Sequence, residues 1–154
     1  MTAKEYLNQA YKLDRQAEML LAKADKLRES LYGRGVSYDG SRVKSGAGGA
    51  GDNLSDTVAQ VIEYEEQAER IIEKLVEKRI EIEHTIAQVP DEAAREVLER
   101  RYLLYQPWDS YYDKHTGVYV KGIYESMHYS RRQIFYYHGL ALKSVAPHCI
   151  ELHL

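Results

Sequence analysis

At 154 residues and a formal charge of −3, the chain is long enough for one or two small units with a real core and too short for a large enzyme. Charged residues make up 29% and aromatics 10%, a balance suited to folding in water, and no run approaches the ~20 apolar residues of a bilayer span. The start, Met1-Thr2-Ala3-Lys4-Glu5-Tyr6, lacks the apolar core of a signal peptide, and the lone Cys149 excludes an internal disulfide and a thiolate zinc cage, so a reducing cytoplasm is the expected compartment.

Residues 3–32 alternate steps of four and three through Tyr6, Ala10, Leu13, Ala17, Leu20, Ala24, Leu27 and Leu31, the seam of a coiled coil, which makes residues 1–32 a first coiled-coil helix. Residues 33–53 hold seven of the ten glycines and bury too little to offset their ordering entropy, so a flexible linker is expected there. A phosphate-binding loop would need a strand before it and a Lys-Ser/Thr pair after it, and neither is present. Residues 54–89 form the second coiled-coil helix, with the seam Leu54, Val58, Val61, Glu65, Ala68, Ile72, Leu75, Arg79, Ile82, Ile86 and Val89, ended by Pro90. The two helices, roughly 45 and 50 Å long, form a long antiparallel hairpin with more apolar stripe than a lone hairpin covers, which points to self-association, as a dimer. Glu65 and Arg79 interrupt that stripe and either fix register or lie beyond the partner helix.

Charge divides the chain further. Residues 53–90 carry nine acids against four bases, whereas from Arg95 to Val145 there are eight bases against five acids. Within residues 91–146, Asp91 caps a third helix through about Tyr105, turned inward at Ala94, Val97, Leu98, Arg101 and Tyr102. Nine of the fourteen tyrosines lie between 102 and 137. Those flanking His115-Thr116-Gly117 suggest a short hairpin or ordered loop, and the tyrosines are assigned first to a small core, with base stacking or a protein contact as alternatives. A helix follows around Lys121–Met127, then a turn at His128-Tyr129, then a helix from Ser130; residues 147–154 are left as a tail.

That last helix carries the chemistry. Ser130 and Gln133 have the spacing of a capping box, and Ile134, His138, Ala141, Leu142 and Val145 form a buried face. Arg131 and Arg132 stand in the first turn, against the helix dipole, which favours acids there. Such cations suit phosphates and guanine edges. Six histidines show no HExxH pattern or comparable pairing, and no nucleophile–base arrangement is evident. The chain is therefore expected to be no enzyme and to use no cofactor and no metal.

Arg95-Glu96-Val97-Leu98-Glu99-Arg100-Arg101-Tyr102, then Ile123-Tyr124-Glu125-Ser126-Met127-His128-Tyr129-Ser130-Arg131-Arg132-Gln133-Ile134 and His138-Gly139-Leu140-Ala141-Leu142, resemble sigma-70 region-4-type helix-turn-helix domains. With Tyr6-Leu7-Asn8-Gln9-Ala10-Tyr11 and the glycine-rich break, nearly the whole chain resembles a family of small phage proteins. These are related to the RinA/ArpU-type late transcriptional regulators of phages and prophages in Gram-positive bacteria. The resemblance implies an all-α fold, a coiled-coil hairpin followed by a helix-turn-helix domain. It also implies double-stranded DNA as partner and control of phage late transcription, with the cytoplasm of a bacterial host as the expected place. By position, Ser130, Arg131, Arg132, Gln133 and Tyr136 would face the DNA. The chain departs from the pattern in the aromatic segment inserted after Trp108 and in the step Gly122-Ile123-Tyr124. Two other functions compete with a late regulator: a DNA-packaging component such as a small terminase subunit, and a protein-interaction module that ignores DNA and whose basic helix contacts RNA polymerase or another phage protein.

Overall fold

Thr2 and Glu5 start the first helix reciprocally. The Glu5 N–H donates to the Thr2 hydroxyl at 3.2 Å, and the Thr2 N–H donates to the Glu5 carboxylate at 2.7 Å. In the computed structural model, which describes residues 1–34 and 50–151, this opens α1 (Ala3–Leu7). A single non-helical residue, Asn8, separates it from α2 (Gln9–Arg34), so the helix expected over 3–32 is interrupted near its start. α3 spans Ala50–Ala87. Helix therefore occupies both ends of the segment assigned to the linker, and the rest of that segment lies outside the described residues. The fold is predominantly helical, consistent with the all-α expectation, and the two-stranded antiparallel sheet falls in the segment where a short hairpin or ordered loop was expected.

The chain divides into two compact units, one from Leu13 to Lys74, the other taking Met1–Lys12 and the chain from Leu75 onward. In the first unit Ala17 and Ala24 of α2 and Val61 and Ala68 of α3 are buried. Alanine side chains at these positions leave room for close helix approach. Glu65, the acid in the apolar series, pairs with Arg28, and the Lys23 ammonium stands 5.8 Å over the Tyr64 ring. The apolar series is not buried throughout: Leu54, Val58 and Ile72 are exposed, as is the neighbouring Ile62. On α2 the seam leucines Leu13, Leu20 and Leu27 are likewise only half-buried.

In the second unit α6 (Arg131–Glu151) is the central element, with α1, α4 (Glu92–Leu98) and α5 (Ile123–Met127) packed on it. Its buried residues Ile134, His138, Ala141, Val145 and Cys149 follow a helical period. Leu142, expected on that face, is only half-buried. The helix also continues through Pro147 to Glu151, where a tail from 147 was expected. Tyr6, Ile82, Ile86, Val89, Ala94, Val97, Leu98 and Ile123 are buried in the same unit. The Tyr6 hydroxyl donates to Glu81 at 2.9 Å and lies 3.1 Å from the Thr85 hydroxyl, and burial pushes its pKa up to about 12.

Asp91 caps α4 as expected, accepting from the Ala94 N–H at 2.8 Å. The helix does not run on regularly to Tyr105. From Glu99 to Leu103 it widens into a π-helical turn, with the Leu104 N–H donating to the Glu99 carbonyl at 3.1 Å. Tyr105 then takes a left-handed backbone, φ 55°. Arg79 donates to the Leu103 carbonyl at 3.2 Å, satisfying an acceptor left over at the end of that turn.

The aromatic insertion is a hairpin. β1 (Tyr111–Asp113) pairs antiparallel with β2 (Val118–Val120) in the register Tyr112 opposite Tyr119. Gly117 closes the turn at φ 69°, and the Asp113 carboxylate accepts from the His115 N–H at 2.8 Å. Tyr111, Tyr112 and Tyr119 are exposed, so the expectation of a tyrosine core fails here. The strands are only three residues long and cover no second layer, which leaves their aromatics in solvent. Tyr102, by contrast, is buried.

Candidate nucleic-acid interface

The segment after the hairpin is tied back to the chain before it. The Ile123 N–H donates to the Pro107 carbonyl at 2.9 Å, and the Gly122 N–H donates to the Ser110 hydroxyl at 2.8 Å. A Cβ on Gly122 would stand 2.4 Å from the Asp109 carbonyl carbon and 2.6 Å from both the Ser110 nitrogen and the Trp108 oxygen. Only glycine permits this crossing. Ser110 and Tyr119 both donate to the Glu125 carboxylate, which holds its pKa below the usual range, and Gln106 donates to the Ser126 hydroxyl at 2.6 Å. The hairpin is thus fastened to α5 at its base.

Behind α5 an aromatic cluster supports α6. Val97, Ile123 and Ile134 form its buried centre, with Trp108, Tyr124, Met127, Tyr129 and Tyr137 packed around them. The Trp108 ring meets His138 edge-on at 5.0 Å and Phe135 at 5.7 Å, and the Arg101 guanidinium lies 4.9 Å over it. His138 Nε2 lies 2.9 Å from the Tyr102 hydroxyl, a hydrogen bond that a neutral imidazole makes in either tautomer. Burial, then the charges of Lys4 and Arg101, lower the His138 pKa to about 4. This histidine is a neutral core residue.

α6 begins as its sequence predicts. The Gln133 N–H donates to the Ser130 hydroxyl at 3.3 Å, and the Ser130 N–H donates to the Gln133 side-chain oxygen at 3.1 Å. The turn before it is set by His128 in the left-handed region at φ 56°. The five positions singled out from sequence meet different fates. Ser130 and Gln133 hold each other in the capping box. Arg131 donates to the Asp109 carboxylate at 2.6 Å and sits 5.4 Å over the Tyr124 ring, and that partnership raises its pKa. Arg132 is exposed and, among the described residues, has no ion pair or hydrogen bond. Tyr136 is exposed, its ring 5.6 Å from that of Tyr137.

Steps of four, three and four from Arg132 reach Tyr136, Gly139 and Lys143, so these four share one face of α6. Sequence reasoning passed over the last two. Lys143 is exposed, and between Arg131 and Ile150 there is no acid to oppose the three cations of this helix. Asp109 was missed as well, since its partner is 22 residues away and no periodicity marks it.

Among the described residues no group of three His, Cys, Asp or Glu side chains could hold a metal ion, and no helix is long and apolar enough to cross a membrane. Compared with family models, with curated proteins and with solved structures, the chain gives no match.

Proposed function

We propose that this chain is a DNA-binding regulator in which α5 and α6 act as a helix-turn-helix, with α6 reading double-stranded DNA. The observation that carries this is the exposed, acid-free side of α6, where Arg132 stands unpaired in the first turn of a capped helix whose opposite side is buried. A free guanidinium at the start of a rigidly supported helix suits phosphates and base edges. The chain's resemblance to phage late regulators extends the proposal to late-gene transcription in a bacterial host, with RNA polymerase as a further partner. Dimerisation through α2 and α3 belongs to the same proposal, supported by the uncovered Leu54, Val58 and Ile62 of α3.

A second reading, a protein-interaction module, is favoured by the exposed Phe135 and Tyr136, since aromatics are enriched in protein interfaces. An electrophoretic shift titration with duplex DNA at several salt concentrations separates the two. Binding that weakens linearly in a log-log salt plot supports DNA reading, and indifference to DNA even at low salt supports the protein contact. A ring-shaped oligomer in solution would instead favour a packaging role of the small-terminase kind.

A further inference from the structure

Gly139 sits in the interior of α6, where glycine is the poorest helix former apart from proline. Interior glycines are usually explained by a neighbour that leaves no room for a side chain. Here the space is open: nothing lies within 4 Å of the position a Cβ would take. Its backbone is ordinary helix, so no left-handed conformation demands glycine either. The fold itself therefore gives no reason for this residue.

The surroundings supply one. Gly139 lies between Tyr136 and Lys143, on the same face as Arg132, and the face carries two unpaired cations and no acid. Resting on the DNA-binding reading above, we propose that Gly139 is the point of closest approach to duplex DNA, within a contact face made of Arg132, Tyr136, Gly139 and Lys143. The charge of the face selects a polyanion over a protein of mixed charge. Arg132 and Lys143 are about 16 Å apart along the axis, more than the ~12 Å width of the major groove, so the pair reaches phosphates on either side. Tyr136 and Gly139 then lie deepest, where a missing Cβ lets the helix backbone close on the base edges. Arg131 stands at the edge of this face, its guanidinium held by Asp109.

The test measures binding of the full chain and its Gly139→Ala, Gly139→Leu, Lys143→Ala and Arg132→Ala variants to duplexes recovered from a random pool, with thermal melts alongside. Gly139→Ala should raise the melting temperature, because alanine favours helix and clashes with nothing, yet weaken binding by about ten-fold or more. Gly139→Leu should weaken it further. Lys143→Ala should lower the log-log salt slope by about one. If both Gly139 variants bind like the parent while Arg132→Ala weakens binding, the close approach is overturned and the DNA reading stands. If the parent and all variants ignore DNA, the reading and this inference fall together.

Discussion

Arg131 donates to Asp109 at 2.6 Å across a sequence separation bridged by the tyrosine hairpin. The hairpin's closure, fixed by Gly122 and by Ser110 on Glu125, brings that aspartate beside the first turn of α6. The insertion thereby changes which of the two adjacent arginines is free. An acid next to a surface cation lowers the local positive potential and holds the guanidinium in place. Asp109→Asn is expected to leave the melting temperature unchanged, because both partners are largely exposed. Affinity for random duplex should rise several-fold and the salt slope should steepen. A variant that binds more weakly in a salt-titrated shift assay would show that Asp109 orients Arg131 for contact.

Gly122 and Gly139 should respond to alanine with opposite signs. At Gly122 the new methyl meets backbone atoms of Trp108, Asp109 and Ser110, which cannot swing aside. Overpacking of this kind costs ~1–3 kcal/mol and should detach the hairpin base from α5. At Gly139 nothing obstructs the methyl, and the gain in helix propensity is ~0.5–1 kcal/mol. Urea denaturation of the two variants checks both signs. Destabilisation by Gly139→Ala would reveal a packing role for that glycine inside the fold.

The parts of this structure that were legible in the sequence are those written at short range. The Ser130–Gln133 box, the Asp91 cap and most of the buried face of α6 each depend on residues three or four apart, where spacing and geometry are equivalent. The π-helical turn at Glu99 left no such mark, and the Leu103 carbonyl it leaves over is met by Arg79, 24 residues away. Asp109 and Gly122 matter through a chain crossing that only the hairpin's pairing creates. The expected seam of α3 was legible as a pattern, but which of its positions a neighbour covers was not. Leu54 and Val58 of that seam are exposed.

Ser130→Ala removes the hydroxyl that accepts from the Gln133 N–H and leaves the Gln133 side chain with the Ser130 backbone alone. Loss of such a cap costs ~1 kcal/mol. The melting temperature should fall by a few degrees, and DNA binding should change little at temperatures where the variant is fully folded. Far-ultraviolet circular dichroism against temperature measures the first effect, and a shift assay well below the transition measures the second. A binding loss of the size given by Arg132→Ala would mean that the Ser130 hydroxyl touches the ligand itself.

The stability of the α6 unit should depend on pH through His138. Its folded pKa is lowered to about 4 from an ordinary 6.5, mainly by burial. Between those two values the unfolded chain binds a proton that the folded chain refuses, so acidification favours unfolding. The contribution is fully present above pH ~6.5, declines as pH falls through that value, and levels off below about 4. A shift of this size corresponds to roughly 3 kcal/mol, because each pKa unit is worth about 1.4 kcal/mol. His138→Gln keeps a polar partner for the Tyr102 hydroxyl and removes the titration. The variant should be less stable than the parent at neutral pH, through imperfect packing against Trp108 and Tyr102, while its denaturation midpoint stays flatter from pH 7 to 5. Urea titrations across that range provide the measurement. Parallel pH profiles for parent and variant would assign the acid sensitivity to other groups and place the His138 pKa close to its ordinary value.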